Sequence, residues 1–171
     1  YVNGLMNLNM NLAVRPGGQV TVIGTEATNQ VRFEPNVRGK FVGVMGASFP
    51  AGGGAGTATD LNTHLTYATP SVPQNQRDLS IGDPRGLAWK SDGTRAFITG
   101  MGSNNIIVVG AAFNRIAQVN VGKGPTGVKF DQARGLVYVL NKFDGNVSVI
   151  NEASLTETQR VSFFDPTPAV I

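Results

Sequence analysis

The sequence predicts an all-β protein, a β-propeller segment of about three four-stranded blades. Three observations predict it. A shift of 41 residues superimposes Pro84, Gly86 and Trp89 on Pro125, Gly127 and Phe130, and pairs Phe97 with Tyr138, Asn105 with Asn146, Ile106 with Val147 and Val108 with Val149. Each unit holds short runs rich in Val, Ile, Phe and Tyr, divided by turn residues such as Ser91-Asp92-Gly93 and Ser103-Asn104. No long stretch carries helical periodicity. A repeat of about 40–45 residues that reads as four strands is the pattern of a propeller blade, a sheet that buries its faces only against neighbouring copies.

The elements follow in order. The first blade is expected at about 8–46, from a copy offset by 75 residues: Leu12, Ala13 and Val14 match Leu87, Ala88 and Trp89, Gly18 matches Gly93, Asn29 matches Asn104 and Val31 matches Ile106. That offset exceeds the repeat by about 34 residues. An inserted loop is therefore expected at about 47–80, where the composition turns to Gly, Ala, Thr and Pro. The second blade is expected at about 81–122, with strands at 86–90, 95–100, 105–110 and 115–121, and the third at about 123–163, where Asn146-Val-Ser-Val-Ile150 partly alternates. A further shift carries Pro125 to Pro166 and Phe130 to Ile171, so 164–171 reads as the start of another blade. Propellers close with about 4–8 blades, and an open wedge leaves apolar faces and strand edges without partners. The chain is expected to be part of a larger ring of about seven blades, completed by further blades, by a partner chain or by more copies of itself. The start at Tyr1 without an initiator Met or signal peptide, and the apolar finish Ala169-Val170-Ile171, lead to the same expectation.

Composition narrows the chemistry. With 171 residues, 41% of them hydrophobic, the chain is long enough for one domain with a sizeable core. Fourteen Lys and Arg against 11 Asp and Glu give +3, too mild to argue for a nucleic acid partner. The apolar runs fall far short of a membrane span. The absence of Cys removes disulfides, thiolate-bound zinc, a Cys nucleophile and covalently attached haem from this chain, and one His gives poor support to a His-based metal site or a catalytic triad.

The units resemble YVTN-type propeller repeats. Their openings are Pro84-Arg85-Gly86 and Pro125-Thr126-Gly127, their second strands Phe97-Ile-Thr-Gly100 and Tyr138-Val-Leu-Asn141, and their third strands Asn105-Ile-Ile-Val-Val109 and Asn146-Val-Ser-Val-Ile150. A narrower resemblance rests on Thr25-Glu26-Ala27-Thr28-Asn29 leading into Val31-Arg32-Phe33-Glu34-Pro35, on Ser80-Ile-Gly-Asp-Pro-Arg-Gly86, on Gly100-Met-Gly-Ser-Asn-Asn105 and on Phe163-Phe-Asp-Pro-Thr-Pro168. These segments are similar to the propeller part of bacterial exported c-type cytochromes related to di-haem peroxidases. The resemblance implies a periplasmic or extracellular setting and a c-type cytochrome domain as partner. In that family haem c is carried by Cys-Xaa-Xaa-Cys-His segments elsewhere. No haem ligand carries over to this chain, and a di-haem peroxidase-like activity would belong to its parent.

In a propeller the first strand of each blade lies nearest the axis. The crossover from one blade's fourth strand to the next blade's first shares a face with the turn between second and third strands. That face is expected to gather Glu26, Asn29, Asp83, Arg85, Asn104, Asn105, Lys123, Lys142 and Asp144. The candidate binding set is Glu26, Arg32, Asp83, Arg85, Asn105 and Lys142, with Arg85 and Arg32 foremost; for both, ion pairs near the axis are the bland alternative. Asn29, Asn104 and Asp144 read better as turn formers, and Arg32 with Glu34 as a structural pair on one strand face. The insertion should lie on this same face, either capping the channel or contacting a neighbour, or as a mobile excursion. Ala51-Gly-Gly-Gly-Ala-Gly56 lacks the Gly-Lys-Ser/Thr ending of a phosphate loop and reads as a flexible linker. His64 near Asp60 is a weak metal or acid–base candidate and reads better as a solvated loop residue. Trp89 and Phe130 could stack a ligand, but aromatics repeated at one blade position ordinarily pack between blades. Asn146-Val147-Ser148 fits a glycosylation sequon but coincides with the repeat's own strand pattern.

Three functions are consistent with these residues. The first is a non-catalytic binding or scaffold segment of an exported cytochrome c peroxidase-like electron-transfer protein, and it is the reading preferred here. The second is a propeller hydrolase or lactonase with a metal at the axis, for which Glu26, Asp83 and Asp165 are available without forming a convincing set. The third is a YVTN-repeat surface or adhesion protein. No catalytic constellation is seen in the chain.

Overall fold

Residues that alternate in polarity, or run apolar without a break, over five to nine positions and then meet Gly, Asp or Asn can bury their faces only as stacked short sheets. The computed structural model describes residues 1–28, 40–67 and 72–163. Its strands are β1 (Val2–Asn3), β2 (Leu8–Val14), β3 (Gln19–Ala27), β4 (Val42–Pro50), β5 (Gly54–Ala55), β6 (Thr57–Asp60), β7 (Pro84–Trp89), β8 (Arg95–Gly100), β9 (Asn105–Gly110), β10 (Arg115–Asn120), β11 (Pro125–Asp131), β12 (Leu136–Asn141), β13 (Asn146–Asn151) and β14 (Thr156–Ser162). A single helical turn, α1 (Gln74–Arg77), lies between β6 and β7.

Three antiparallel four-stranded sheets result: β2-β3-β4-β6, β7-β8-β9-β10 and β11-β12-β13-β14. Each is a blade, and the fold is a β-propeller segment of three blades. The innermost strands stand side by side, β2 against β7 and β7 against β11. The core lies between the sheets. Ile23, Val44, Leu87, Ile98, Ile107 and Phe113 fill the joint between the first two blades. Phe97, Ile106, Val108, Val137, Val139 and Ile150 fill the joint between the second and third. Every residue of β9 is buried, because both of its faces are covered, which is why it reads as an unbroken apolar run. Full burial of each such Ile, Val or Phe contributes about 1.5–3 kcal/mol.

The first blade differs from its expectation. Its third strand is β4, at Val42–Pro50, and its fourth is β6, at Thr57–Asp60. Both lie wholly or partly in the stretch 47–80 expected to be a loop. The additional chain is thus divided between the β3–β4 connection and the β6–β7 connection. The match of Asn29 and Val31 to a third strand falls outside the described residues. Composition misled because the end of β4 and all of β6 are built largely from Ala, Ser and Thr beside a Gly-rich run. Within β4, Gly46 is required by packing: a Cβ there would lie 2.4–2.8 Å from the Phe113 ring. The Gly-rich run at 51–56 is also not a free linker. Its Gly54–Ala55 pairs in parallel with Val2–Asn3, and the segment before β2 lays Leu5 and Met6 against Val22 and Ala47 on the first blade's outward face.

Candidate functional site

The crossovers and the β8–β9 and β12–β13 turns meet on one face, and the inner strands decide what that face presents at the axis. Each inner strand carries a bulge near its start: between Asn9 and Asn11 in β2, between Pro84 and Leu87 in β7, and between Pro125 and Gly127 in β11. The Pro-Xaa-Gly openings explain the latter two, since Pro lacks the N–H that a regular ladder would use and a bulge turns its extra residue out of register. Arg85 is the turned-out residue of β7 and is exposed. Its Nε lies 2.8 Å from Asp83 Oδ1, and its terminal nitrogen donates to Asp83 Oδ2 at 3.1 Å. Asp83 holds φ 49, a left-handed conformation that Asp tolerates, and its carbonyl accepts from Met101 N–H at 2.9 Å. The pair is therefore anchored to the β8–β9 turn. Across the axis side, Asn11 donates to the Arg85 carbonyl at 2.6 Å and links the first two inner strands.

Beside this pair runs a groove of about 570 Å³ lined by Arg77, Asp78, Ser80, Ser103, Asn104 and Asn120. One wall belongs to the β6–β7 connection, which is fixed at both ends. Asn62 is buried and clamps Ile81, donating to its carbonyl at 2.8 Å and accepting from its N–H at 2.9 Å. Gln118 of β10 donates to the Asp78 carbonyl at 3.1 Å, and Arg115 donates to the Leu79 carbonyl. Burial lowers the pKa of the Arg115 guanidinium. The connection therefore packs along the outer strand of the second blade.

The remaining sequence candidates are distributed as follows. Glu26 accepts the Asn7 N–H at 2.8 Å and helps seat the entry to β2. Asn105 is buried: it donates to the Ser80 carbonyl at 2.9 Å and accepts from Ser103 Oγ at 2.8 Å, so its side chain ties the crossover down and is not offered to solvent. Lys142 is exposed in the β12–β13 turn, where its N–H bonds the Gly124 carbonyl. Arg32, with Asn29 and Asp165, lies outside the described residues. Thus Asp83 and Arg85 are brought together, and Glu26, Asn105 and Lys142 each join a separate local network.

Other sequence candidates also find partners within the fold. Trp89 packs edge-on to Phe113 with centroids 6.2 Å apart, lies under the Arg15 guanidinium and donates to Thr21 Oγ1 at 2.8 Å. Phe130 stacks on Phe97 at 5.7 Å. Both sit between blades. His64 Nε2 lies 3.0 Å from the Gln76 carbonyl, while Asp60 pairs with Lys40, so the two do not converge. Burial, and then the Asp60 charge, raise the pKa of Tyr67 next to that pair. Asn146 is buried and accepts from Asn141 at 2.7 Å, which closes the sequon. Among the described residues no group of three or more His, Asp or Glu is placed to hold a metal ion.

Sequence reasoning missed Arg77, Asp78 and Asn120 of the groove. The first two sit in a region whose composition hid a helical turn after Pro73, and nothing in the repeat marks them.

No family model matches the chain, and no curated protein matches it. Solved structures do. Hydrazine synthase of Kuenenia stuttgartiensis superimposes with a TM-score of 0.65 at 17% identity, over 84% of this chain and 45% of that one. The RRP9 WD40 repeats give 0.64 at 13% identity, over 94% and 40%. A nidogen/laminin complex gives 0.60 at 11% identity, over 92% and 48%. The chain spans less than half the length of each. At these identities the likeness is one of fold, the propeller.

Proposed function

We propose that this chain is a non-catalytic binding and scaffold segment of a propeller, and that the face formed by its crossovers and β8–β9 and β12–β13 turns meets a partner protein. The observation that carries the reading is the bulged opening of β7, which turns Arg85 out at the channel mouth, buttressed by Asp83 and flanked by the polar groove. A guanidinium held in place by its own carboxylate loses little freedom on docking, so it serves orientation and specificity more than raw affinity. The finer reading is that the segment belongs to an exported electron-transfer protein with YVTN-type repeats, related to di-haem cytochrome c peroxidases and periplasmic or extracellular. It rests on the sequence segments around Glu26, Asp83 and Asn104. Haem c would then reside in other parts of the parent or in a partner cytochrome.

The test is a titration of the chain with a small soluble c-type cytochrome at low ionic strength, followed by haem-methyl NMR shifts. Arg85→Glu and Lys142→Glu are expected to weaken binding by about three- to tenfold each. Arg134→Glu, on the opposite face, should leave it unchanged. Equal effects from the opposite face, or no saturable shift, would overturn the docking face. A haemochrome spectrum of the parent protein purified from its source decides the redox reading separately.

A further inference from the structure

The two joints between blades share one plan and differ at the end away from the crossovers. Directly opposed residues of neighbouring strands lie on one face of a sheet. In the second blade Phe97, Val108 and Ala117 form such a row toward the third blade, beside Ile106 and Val119. The matching row of the first blade is Thr21, Ser48 and Thr57, beside Gly46 and Thr59. It faces the second blade, since Thr21 Oγ1 accepts from Trp89 Nε1 at 2.8 Å and Gly46 lies against the Phe113 ring. Hydroxyl residues thus stand where Phe97, Val108, Ala117 and Val119 stand in the next joint. There the space is filled, with Phe130 stacked on Phe97. Here it is open: a pocket of about 410 Å³ is lined by Arg15, Gln19, Ser48, Thr57, Thr59 and Phe113. Arg15 is held in place. Its Nε donates to the Gly93 carbonyl at 2.8 Å, a terminal nitrogen donates to Gln19 Oε1 at 3.2 Å, and the guanidinium lies over the Trp89 ring, 5.3 Å from its centroid. Among the described residues no carboxylate pairs with it. Filling a joint calls for apolar side chains; hydroxyls around a fixed cation suit a polar ligand.

We propose that this pocket binds an acidic sugar, a uronate. The Arg15 guanidinium takes the carboxylate, whose two oxygens match its planar fork. Ser48, Thr57 and Thr59 both donate to and accept from the sugar hydroxyls, and Phe113 covers a C–H face of the ring. One cation balances the single charge of a carboxylate, whereas a phosphate ester carries nearly two. The volume falls in the range of small-molecule sites. The pocket opens away from the crossover face, so the proposal is independent of what that face binds.

Trp89 is the only tryptophan, so its fluorescence reports on the Arg15 guanidinium above it. D-galacturonate is titrated into the full chain and followed by that fluorescence and by saturation-transfer NMR of the sugar. A saturable signal is expected. Galactose lacks the carboxylate and acetate lacks the hydroxyls, and each should bind about tenfold more weakly or worse. Thr57 is exposed, so Thr57→Val keeps the fold and should weaken binding about fivefold. Ser48→Val with Thr57→Ala copies the row of the second joint, and it should abolish binding without lowering the urea midpoint. Arg85→Glu, on the crossover face, should change nothing. Tighter binding of digalacturonate would make the source a polysaccharide chain and equal binding a free sugar acid, and either supports the proposal. No saturable signal, equal binding of galactose or acetate, or undiminished binding in both hydroxyl variants would overturn it.

Discussion

Phe113 holds φ 60, a conformation rare for a bulky side chain, yet it is buried in the joint between the first two blades against Trp89 and over Gly46. The backbone cost, about 1–3 kcal/mol for such a conformation, is offset by what the ring fills. Phe113→Ala should destabilise the chain by about 3–5 kcal/mol. Gly46→Ala, which drives a Cβ into the ring, should cost about 1–3 kcal/mol. The two share one contact, so they should not add: with Phe113 already Ala, Gly46→Ala becomes nearly neutral. Urea midpoints of the four proteins check this, and additive losses would mean the contact is not the cause. Neither residue was legible in the sequence. Phe113 sits in a turn, Ala111-Ala112-Phe113-Asn114, outside any strand pattern, and Gly46, at the end of the stretch expected as the first blade, gives no sign of its neighbour across the joint.

At the scale of the element, the second and third blades were legible because their strands obey one repeat without interruption. The Pro-Xaa-Gly openings marked where each of these units begins, and the structure adds that the inner strands bulge there. The first blade was not, because its β3–β4 and β6–β7 connections are long and its third and fourth strands run into the Ala-, Gly-, Ser- and Thr-rich stretch that reads as a loop. The ties that hold blade to blade at the turn ends were also invisible, since they join residues far apart in sequence. Glu152 follows β13 and is largely buried; Arg95 of β8 donates to it at 2.9 Å, and Lys90 lies 3.5 Å away. Glu152→Gln leaves two cations facing a neutral amide. Both are partly exposed, so water screens them, and the expected loss is about 1–2 kcal/mol. Hydrogen exchange should show it as faster opening of the β7–β8 and β13–β14 turns with the β9 amides little changed. A loss spread evenly over all three sheets would refute the clasp.

Across the whole molecule the apolar joints lie between the blades, whereas the carboxylates with shifted titration lie on the solvent side of the second and third. Hydrogen bonds from Thr94 hold the Asp92 carboxyl below its usual range, those from Arg134 do so for Asp131, and those from Arg160 for Glu157. All three are depressed in the folded chain, so the unfolded chain binds protons first as pH falls. Their contribution is fully present above the unfolded value of about 4 and is lost as pH drops through the folded values. Stability should therefore be flat in these groups from neutral pH to about 5 and decline below about 4. The loss should begin at the β7–β8 and β11–β12 turns and along β14, where these carboxylates sit, and leave the joints for last. Because the pairs are exposed, 1 M salt should flatten the decline. Asp131→Asn and Asp92→Asn should each flatten it as well, since a neutral amide has no proton to gain. Urea midpoints taken from pH 7 to pH 3 measure the slope. A decline that persists undiminished in the doubly substituted chain would acquit the two turn carboxylates and leave Glu157 on β14, the remaining carboxyl held low, as the group through which acid first acts.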